Sequence, residues 1–103
     1  LDEAIRLHDE KQAVFVDARE AAFYELGRVP GAVSLPRATF PEVRDSFVQA
    51  TEKRRRLIVY CSEPDCVDST IVAKALLRLG FENVAVFKGG WVEWEAAGLP
   101  QEP

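Results

Sequence analysis

The sequence predicts a single α/β domain in which a central, mostly parallel sheet is flanked by helices on both faces. Four short apolar runs with the composition of strands alternate along the chain with segments of helical pattern. Parallel strands that alternate with helices are joined by right-handed crossovers, which place helices on both sides of the sheet. The 103 residues, 48% hydrophobic and 29% charged, suffice for one such domain with one core.

The four predicted strands are short runs rich in β-branched and aromatic residues. They occupy residues 13–16, 32–35, 57–60 and 84–87. The run at 57–60 contains only apolar residues, a composition typical of a parallel strand that is covered on both faces. We therefore expect this strand at the centre of the sheet.

The segments between the strands have the periodicity or the end signals of helices. The predicted helices occupy residues 1–8, 20–26, 39–50, 68–79 and a final segment after Gly89-Gly90. Thr39 begins the third helix with a capping box, in which its hydroxyl accepts a hydrogen bond from a first-turn amide while Glu42 reaches back. Pro41 fits the first turn because it lacks only an amide that has no partner there.

The composition excludes several classes of protein. With 13 basic and 17 acidic residues the formal net charge is -4, whereas a nucleic-acid-binding protein normally carries a basic excess. No apolar run approaches the roughly 20 residues that a membrane-spanning helix needs. Two cysteines are too few for the disulfide framework of a small secreted domain, and one histidine is too few for most metal sites. We expect no nucleic-acid partner, no membrane insertion, no metal and no cofactor.

The chain has no Met at position 1, and its first residues already have a helical pattern. We therefore expect a piece of a longer protein, with a first strand or a partner segment upstream of residue 1 and other domains elsewhere in the full chain. A cytoplasmic location is favoured, while any targeting or anchoring segment would lie outside this piece.

Both cysteines lie in the loop that joins the strand at 57–60 to the helix at 68–79. A cysteine in that position faces the positive end of a helix dipole and several unpaired amides, which favour its thiolate and can hold an anion. Because the thiolate is the nucleophilic form, Cys61 suits covalent sulfur chemistry. The alternative is that Cys61 is a buried, small apolar side chain.

Other residues also have competing interpretations. Cys66 is either a second packed side chain or a resolving thiol, because the loop can bring it to the Cα separation of about 4.4 to 6.8 Å that a disulfide requires. We interpret Asp17 and Arg19 as structural rather than catalytic, with the Asp capping amides and the Arg pairing with a carboxylate. Trp91 and Trp94, three residues apart on the last helix, are predicted core anchors.

Five segments resemble, in this order, a rhodanese-like domain: Val16-Asp17-Ala18-Arg19, Gly27-Arg28-Val29-Pro30-Gly31-Ala32, Val59-Tyr60-Cys61, Leu79-Gly80-Phe81 and Gly89-Gly90-Trp91-Val92-Glu93-Trp94. The resemblance covers nearly the whole of residues 1–103. It implies an α/β domain whose loop cysteine takes up a sulfane sulfur as a persulfide and passes it to a nucleophile such as a thiol or cyanide. It therefore implies a sulfane-sulfur donor and a thiol acceptor as partners. It also implies Cys61 as the catalytic residue, followed by a substrate-binding loop of Ser62, Glu63, Pro64, Asp65, Cys66, Val67, Asp68 and Ser69.

The chain departs from the family pattern in the loop and at one turn. Arg28 stands where the family commonly has His, which we interpret as a tolerated change at a structural turn. The loop is slightly longer than usual, and in place of an Arg and glycines it carries Pro64 and the acidic Glu63, Asp65 and Asp68. Because carboxylates repel anions, the sequence predicts transfer from thiol or protein-borne persulfides in preference to thiosulfate.

Two functional interpretations remain. A cysteine at position 61 favours a sulfurtransferase or persulfide carrier. The acidic loop favours a non-catalytic rhodanese-like binding or regulatory module. A phosphatase or arsenate reductase of related fold is disfavoured because it needs an Arg after the cysteine to grip an oxyanion, and no Arg or Lys lies between Cys61 and Thr70.

Overall fold

A four-stranded sheet forms the middle layer of the computed structural model, which describes residues 1–103. In chain order its strands are β1 (Val14–Asp17), β2 (Val33–Ser34), β3 (Leu57–Tyr60) and β4 (Val84–Phe87). Their order in the sheet is β2-β1-β3-β4, and every neighbouring pair is parallel. The predicted parallel sheet is confirmed, and so is the interior position of the strand at 57–60.

The register of the sheet brings the carboxyl ends of its strands to one edge. Asp17 of β1 is paired with Tyr60 of β3, and Tyr60 is in turn paired with Phe87 of β4. The segments that follow these strands therefore emerge side by side. β2 is shorter than the predicted run at 32–35, because after Leu35 donates its amide to the Asp17 carbonyl (2.9 Å) the chain turns away at Pro36.

The helices lie close to their predicted positions. They are α1 (Asp2–Asp9), α2 (Ala21–Leu26), α3 (Phe40–Ala50), α4 (Asp68–Arg78) and α5 (Gly90–Ala96), with a short 3-10 turn before α3 at Arg37–Thr39. No helix is both long enough and apolar enough to cross a membrane.

The predicted capping box at Thr39 is wrong. Thr39 does occupy the N-cap of α3, but its side chain makes no capping hydrogen bond. The 3-10 turn that precedes α3 explains the difference, because the amide of Thr39, to which Glu42 would reach back in a capping box, already donates to the carbonyl of Pro36 (3.3 Å). Pro41 lies in the first turn of α3, as predicted.

Two apolar clusters, one on each face of the sheet, form the core. Alternation along β3 separates them: Leu57 and Val59 point to one face, and Ile58 and Tyr60 point to the other. The first cluster is completed by α3 and α4 with Phe47, Val72, Ala73 and Leu76. The second is completed by α1 and α5 with Ala4, Leu7 and Trp94. Helices therefore cover both faces, as the fold class requires.

The strand β4 forms one edge of the sheet. Its residue Ala85 is exposed, and Val84 and Val86 are only half-buried. The expected strand or partner segment upstream of residue 1 stays a prediction.

Candidate active site

Cys61 lies at the carboxyl end of β3, where that strand gives way to a loop. The side chain is buried, with 3% of its surface exposed. In open parallel sheets, ligands bind beyond the carboxyl ends of the strands. We call residues 61–67 the cysteine loop.

The cysteine loop is open to solvent over most of its length. Among the predicted substrate-binding residues, Ser62, Glu63, Pro64, Asp65 and Val67 are exposed, Cys66 and Asp68 are half-buried, and Ser69 is buried. Asp68 and Ser69 belong to the first turn of α4. The nucleophile candidate is therefore the most enclosed member of a loop that is otherwise accessible.

Cys61 and Cys66 are joined by a disulfide. Their Cα atoms are 6.2 Å apart, within the usual range for such a bond. The amide of Cys66 donates to the carbonyl of Glu63 (3.0 Å), so a turn folds the loop back towards its first residue. The structure thus brings the two sulfur atoms together. The role of this contact in chemistry stays a prediction.

A carboxylate lies beside both sulfur atoms. One carboxylate oxygen of Asp68 and the two sulfurs all lie within 4.8 Å of one another. Thiolates and a carboxylate can bind a metal, but the disulfide occupies both sulfurs, so we assign no metal to this cluster. In the reduced loop, the negative charge of Asp68 disfavours a second anion at the same place.

The amino end of α5 holds the first part of the cysteine loop. The amide of Trp91 donates to the carbonyl of Cys61 (2.8 Å), and the amide of Val92 donates to the carbonyl of Ser62 (2.9 Å). Gly90 allows this close approach. Its φ is +67°, and a Cβ atom there would lie 2.8 Å from the carbonyl oxygen of Cys61. The Gly89-Gly90 pair in the sequence indicates a close approach of the backbone at this point, but the sequence did not predict that Cys61 and Ser62 are the residues approached.

Beneath the loop, Asp17, Arg19 and Tyr60 form what we call the buried network. Arg19 donates to both carboxylate oxygens of Asp17, with an Nη2 to Oδ2 distance of 2.7 Å and an Nε to Oδ1 distance of 3.0 Å. The amide of Arg19 also donates to Oδ1 (2.9 Å). Asp17 thus caps an amide and pairs with an Arg, which is the structural role that the sequence indicated.

Tyr60 connects the buried network to the strand that carries Cys61. Its hydroxyl donates to Oδ2 of Asp17 (2.8 Å) and accepts a hydrogen bond from the amide of Val29 (3.2 Å). Burial raises the pKa of the Tyr60 phenol far above its usual value, and the charge of Asp17 raises it further. Burial lowers the pKa of Arg19, but its hydrogen bond and ion pair with Asp17 outweigh burial and leave that pKa above its usual value. The apolar pattern of residues 57–60 predicts Tyr60 as a strand residue of the core and does not indicate the hydrogen bonds of its hydroxyl.

Trp91 differs from its predicted role. Trp94 is a core anchor, with 1% of its surface exposed, whereas Trp91 is only half-buried. The Arg19 guanidinium lies 4.9 Å from the Trp91 ring centroid. The helical spacing of the two tryptophans could not show that one is buried and the other half-buried, because the position of the Trp91 ring depends on contacts with the buried network.

A cleft of about 320 Å³ lies beside the cysteine loop. Its lining includes Ser62, Trp91, Glu95 and the exposed apolar residues Phe23 and Leu26. A larger cleft, of about 480 Å³, lies between α1 and β4 and includes no residue of the cysteine loop. Of these two clefts, only the smaller adjoins the cysteine loop, through Ser62.

Comparison with known sequences agrees with the motifs. The sequence profile of the rhodanese-like domain matches residues 1–97. A thiosulfate sulfurtransferase, GlpE, from Pseudoalteromonas translucida is 30% identical over 95 residues, which cover 92% of this chain and 85% of that protein. An HTH-type transcriptional regulator from Mycobacterium tuberculosis is 31% identical over 98 residues. A tRNA uridine(34) hydroxylase from Sodalis glossinidius is 32% identical over 106 residues.

The shares of chain that these matches cover differ widely. This chain spans 41% of the length of the regulator and 29% of the length of the hydroxylase. Among solved structures, the BH2092 protein from Bacillus halodurans is 26% identical, with a TM-score of 0.83 over 98% of this chain and 72% of that one. The rhodanese-like domain from Anabaena is 28% identical, with a TM-score of 0.75 over 88% of this chain and 99% of that one. Proteins with several different roles therefore share this domain.

Proposed function

Since the chain belongs to the rhodanese-like domain family, we propose that it is a sulfurtransferase or persulfide carrier that moves sulfane sulfur through a persulfide on Cys61. The observation that carries the proposal is the position of Cys61, which ends a central strand at the edge of the sheet where ligands bind. The similarity to proteins named thiosulfate sulfurtransferase supports the same reaction class.

The reaction begins from the reduced loop, because a disulfide-bonded Cys61 has no thiolate to offer. The Cys61 thiolate attacks the outer sulfur of the donor. A sulfur–sulfur bond forms on Cys61, the bond within the donor breaks, and the remainder of the donor leaves as a thiolate or sulfite. An acceptor thiolate then takes the outer sulfur, and Cys61 leaves as a thiolate.

Carboxylates in the cysteine loop and in the first turn of α4 support one choice of donor. Asp68 lies close to both sulfurs, and the exposed Glu63 and Asp65 add two further negative charges to the loop. A thiosulfate dianion is repelled by these charges, whereas the persulfide of a thiol carries less charge at its reacting end. We therefore propose that thiol or protein-borne persulfides are the donors.

A non-catalytic binding or regulatory module is the second candidate. The similarity to a transcriptional regulator supports it, as does the acidic character of the loop. In that case Cys61 would contribute to packing and to the disulfide without carrying a sulfane sulfur.

An assay of sulfur transfer to cyanide separates the two candidates. With the reduced protein and a thiol persulfide as donor, the enzyme hypothesis predicts thiocyanate formation above that of the donor and cyanide alone, and Cys61→Ser abolishes this excess. Cys66→Ser keeps at least part of this activity, because cyanide can take the outer sulfur directly. Equal thiocyanate formation by the wild-type protein and Cys61→Ser would contradict the sulfurtransferase proposal and favour the module.

A further inference from the structure

We propose that Cys66 is a resolving thiol that discharges the Cys61 persulfide, so that a turnover without external acceptor releases hydrosulfide and leaves the loop disulfide-bonded. The inference rests on the proposed function, because it needs a persulfide on Cys61. It adds to that function a product, hydrosulfide, and a partner class, a dithiol reductant.

The disulfide is the first observation that carries this inference. In a persulfide on Cys61, the inner sulfur is the Sγ atom of Cys61 itself. The structure joins Sγ of Cys66 to this same atom. This disulfide is the bond that forms when the thiolate of Cys66 attacks the inner sulfur of the persulfide. An attack on the outer sulfur would instead move the persulfide to Cys66.

The difference in accessibility of the two cysteines is the second observation. Cys61 is 3% exposed, and its carbonyl is held against α5 by the amide of Trp91. Cys66 is half-buried, and a turn bonded to the carbonyl of Glu63 folds it back over Cys61. An external thiol must enter an enclosed and negatively charged position, whereas Cys66 is already tethered there. Tethering raises the effective concentration of the attacking thiol.

The step balances in atoms and electrons. The Cys66 thiolate attacks Sγ of Cys61, a bond forms between the two Sγ atoms, and the bond to the outer sulfur breaks. The outer sulfur leaves with the bonding pair and its proton as hydrosulfide. The two cysteine sulfurs are oxidised to the disulfide, and the sulfane sulfur is reduced to sulfide, so no other oxidant is needed.

Return to the active form needs two electrons and two protons from a dithiol. The first thiol of this reductant attacks the more accessible Cys66 sulfur and forms a mixed disulfide, which frees Cys61. The second thiol then resolves the mixed disulfide. Turnover that produces hydrosulfide therefore depends on a dithiol reductant, and the protein is inactive while the loop is oxidised.

A single-turnover experiment under anaerobic conditions tests the inference. The reduced protein, freed of reductant, receives one equivalent of glutathione persulfide, and we measure the mass of the chain and the hydrosulfide released. The wild-type protein is expected to lose two hydrogen atoms and release one equivalent of hydrosulfide. Cys66→Ser is expected to keep one added sulfur on Cys61 and to release hydrosulfide about 100-fold more slowly, since tethering typically gives gains of this order.

Two controls and two contrary outcomes complete the experiment. Ile71→Ser, on α4 outside the loop and 40% exposed, is expected to behave as the wild-type protein does. The wild-type protein without donor is expected to remain a dithiol. A wild-type chain that retains the persulfide on Cys61 beside a free Cys66 thiol would overturn the resolving role and leave the proposed function intact. If Cys61 gains no sulfur in Cys66→Ser, both proposals are overturned.

Discussion

The buried network and the cysteine loop lie next to each other at one edge of the sheet, but they differ in almost every physical respect. Asp17, Arg19 and Tyr60 are enclosed, and their polar groups bind one another. The loop from Ser62 to Asp65 is exposed, and its side chains make none of the hydrogen bonds or ion pairs found in the structure. The difference indicates that the network fixes the end of β3, while the loop is free to exchange bonds at sulfur.

Breaking the buried ion pair should lower the free energy of unfolding more than any other change considered below. Asp17→Ala leaves the Arg19 guanidinium buried without its counter-ion, which typically costs about 3 to 5 kcal/mol of unfolding free energy. Asp65→Ala removes an exposed carboxylate from the loop and should change that free energy by less than about 0.5 kcal/mol. Urea denaturation of both variants measures the contrast. Similar losses in the two variants would show that the network is not the rigid part of the site.

A second test concerns the contact that joins α5 to the loop. In Gly90→Ala the new Cβ atom meets the carbonyl oxygen of Cys61, and the residue also has an unfavourable positive φ. We therefore expect the free energy of unfolding to fall by about 2 to 4 kcal/mol and sulfur transfer to become slower. Gly31→Ala is the matched control. The φ of Gly31 is +80°, but nothing lies within 4 Å of the added Cβ. We therefore expect the free energy of unfolding to fall by only about 1 to 2 kcal/mol, with the rate of sulfur transfer unchanged. Equal rates for the two variants would contradict the docking role of Gly90.

The pH dependence of stability tests the hydroxyl of Tyr60. Its pKa is raised in the folded protein, so folding favours the protonated phenol. The stabilisation is complete below the ordinary tyrosine pKa of about 10 and is lost as pH rises above it, at roughly 1.4 kcal/mol per pH unit. Tyr60→Phe should lack this alkaline loss, while Tyr24→Phe should keep it. An identical alkaline loss in wild-type protein and Tyr60→Phe would place the titrating group elsewhere.

A weaker effect is expected on the choice of sulfur donor. Asp68→Asn removes the carboxylate that lies within 4.8 Å of both sulfurs, so kcat/KM with thiosulfate should rise several-fold while stability changes little. With a thiol persulfide as donor the change should be smaller. Asp45→Asn, at an exposed position on α3, is the control and should leave both donors unaffected. If Asp68→Asn does not alter the ratio of kcat/KM for thiosulfate to kcat/KM for the thiol persulfide, the Asp68 carboxylate does not select the donor.

The sequence predicted those features of the molecule that depend on short stretches of neighbouring residues. The all-apolar run at Leu57–Tyr60 predicted an interior strand because a parallel strand that is covered on both faces typically has that composition. Strand and helix alternation then placed Cys61 at the end of that strand. The structural roles of Asp17, which caps an amide, and of Arg19, which pairs with a carboxylate, also followed from short-range chemistry, although the sequence did not identify the two residues as partners.

The features that the sequence did not predict depend on contacts between distant segments. The Tyr60 hydroxyl is bonded to Asp17, 43 positions away, and nothing in the apolar run at 57–60 indicates that partner. The Thr39 capping box is locally plausible, but in the 3-10 turn before α3 the amide of Thr39 already donates to the carbonyl of Pro36. Likewise, the bond between Cys61 and Cys66 depends on the turn that bonds Cys66 to Glu63, so the sequence left both interpretations of Cys66 open.

Mass spectrometry that locates the added sulfur shows whether Cys61 carries a persulfide after exposure to a thiol persulfide. Reduced Cys66→Ser is treated with the donor, digested without reductant, and analysed by mass spectrometry. We expect one added sulfur atom on the peptide that contains Cys61, and none on the corresponding peptide of Cys61→Ser. A Cys61 peptide without added sulfur, from a protein that is folded by circular dichroism, would rule out sulfur transfer through Cys61.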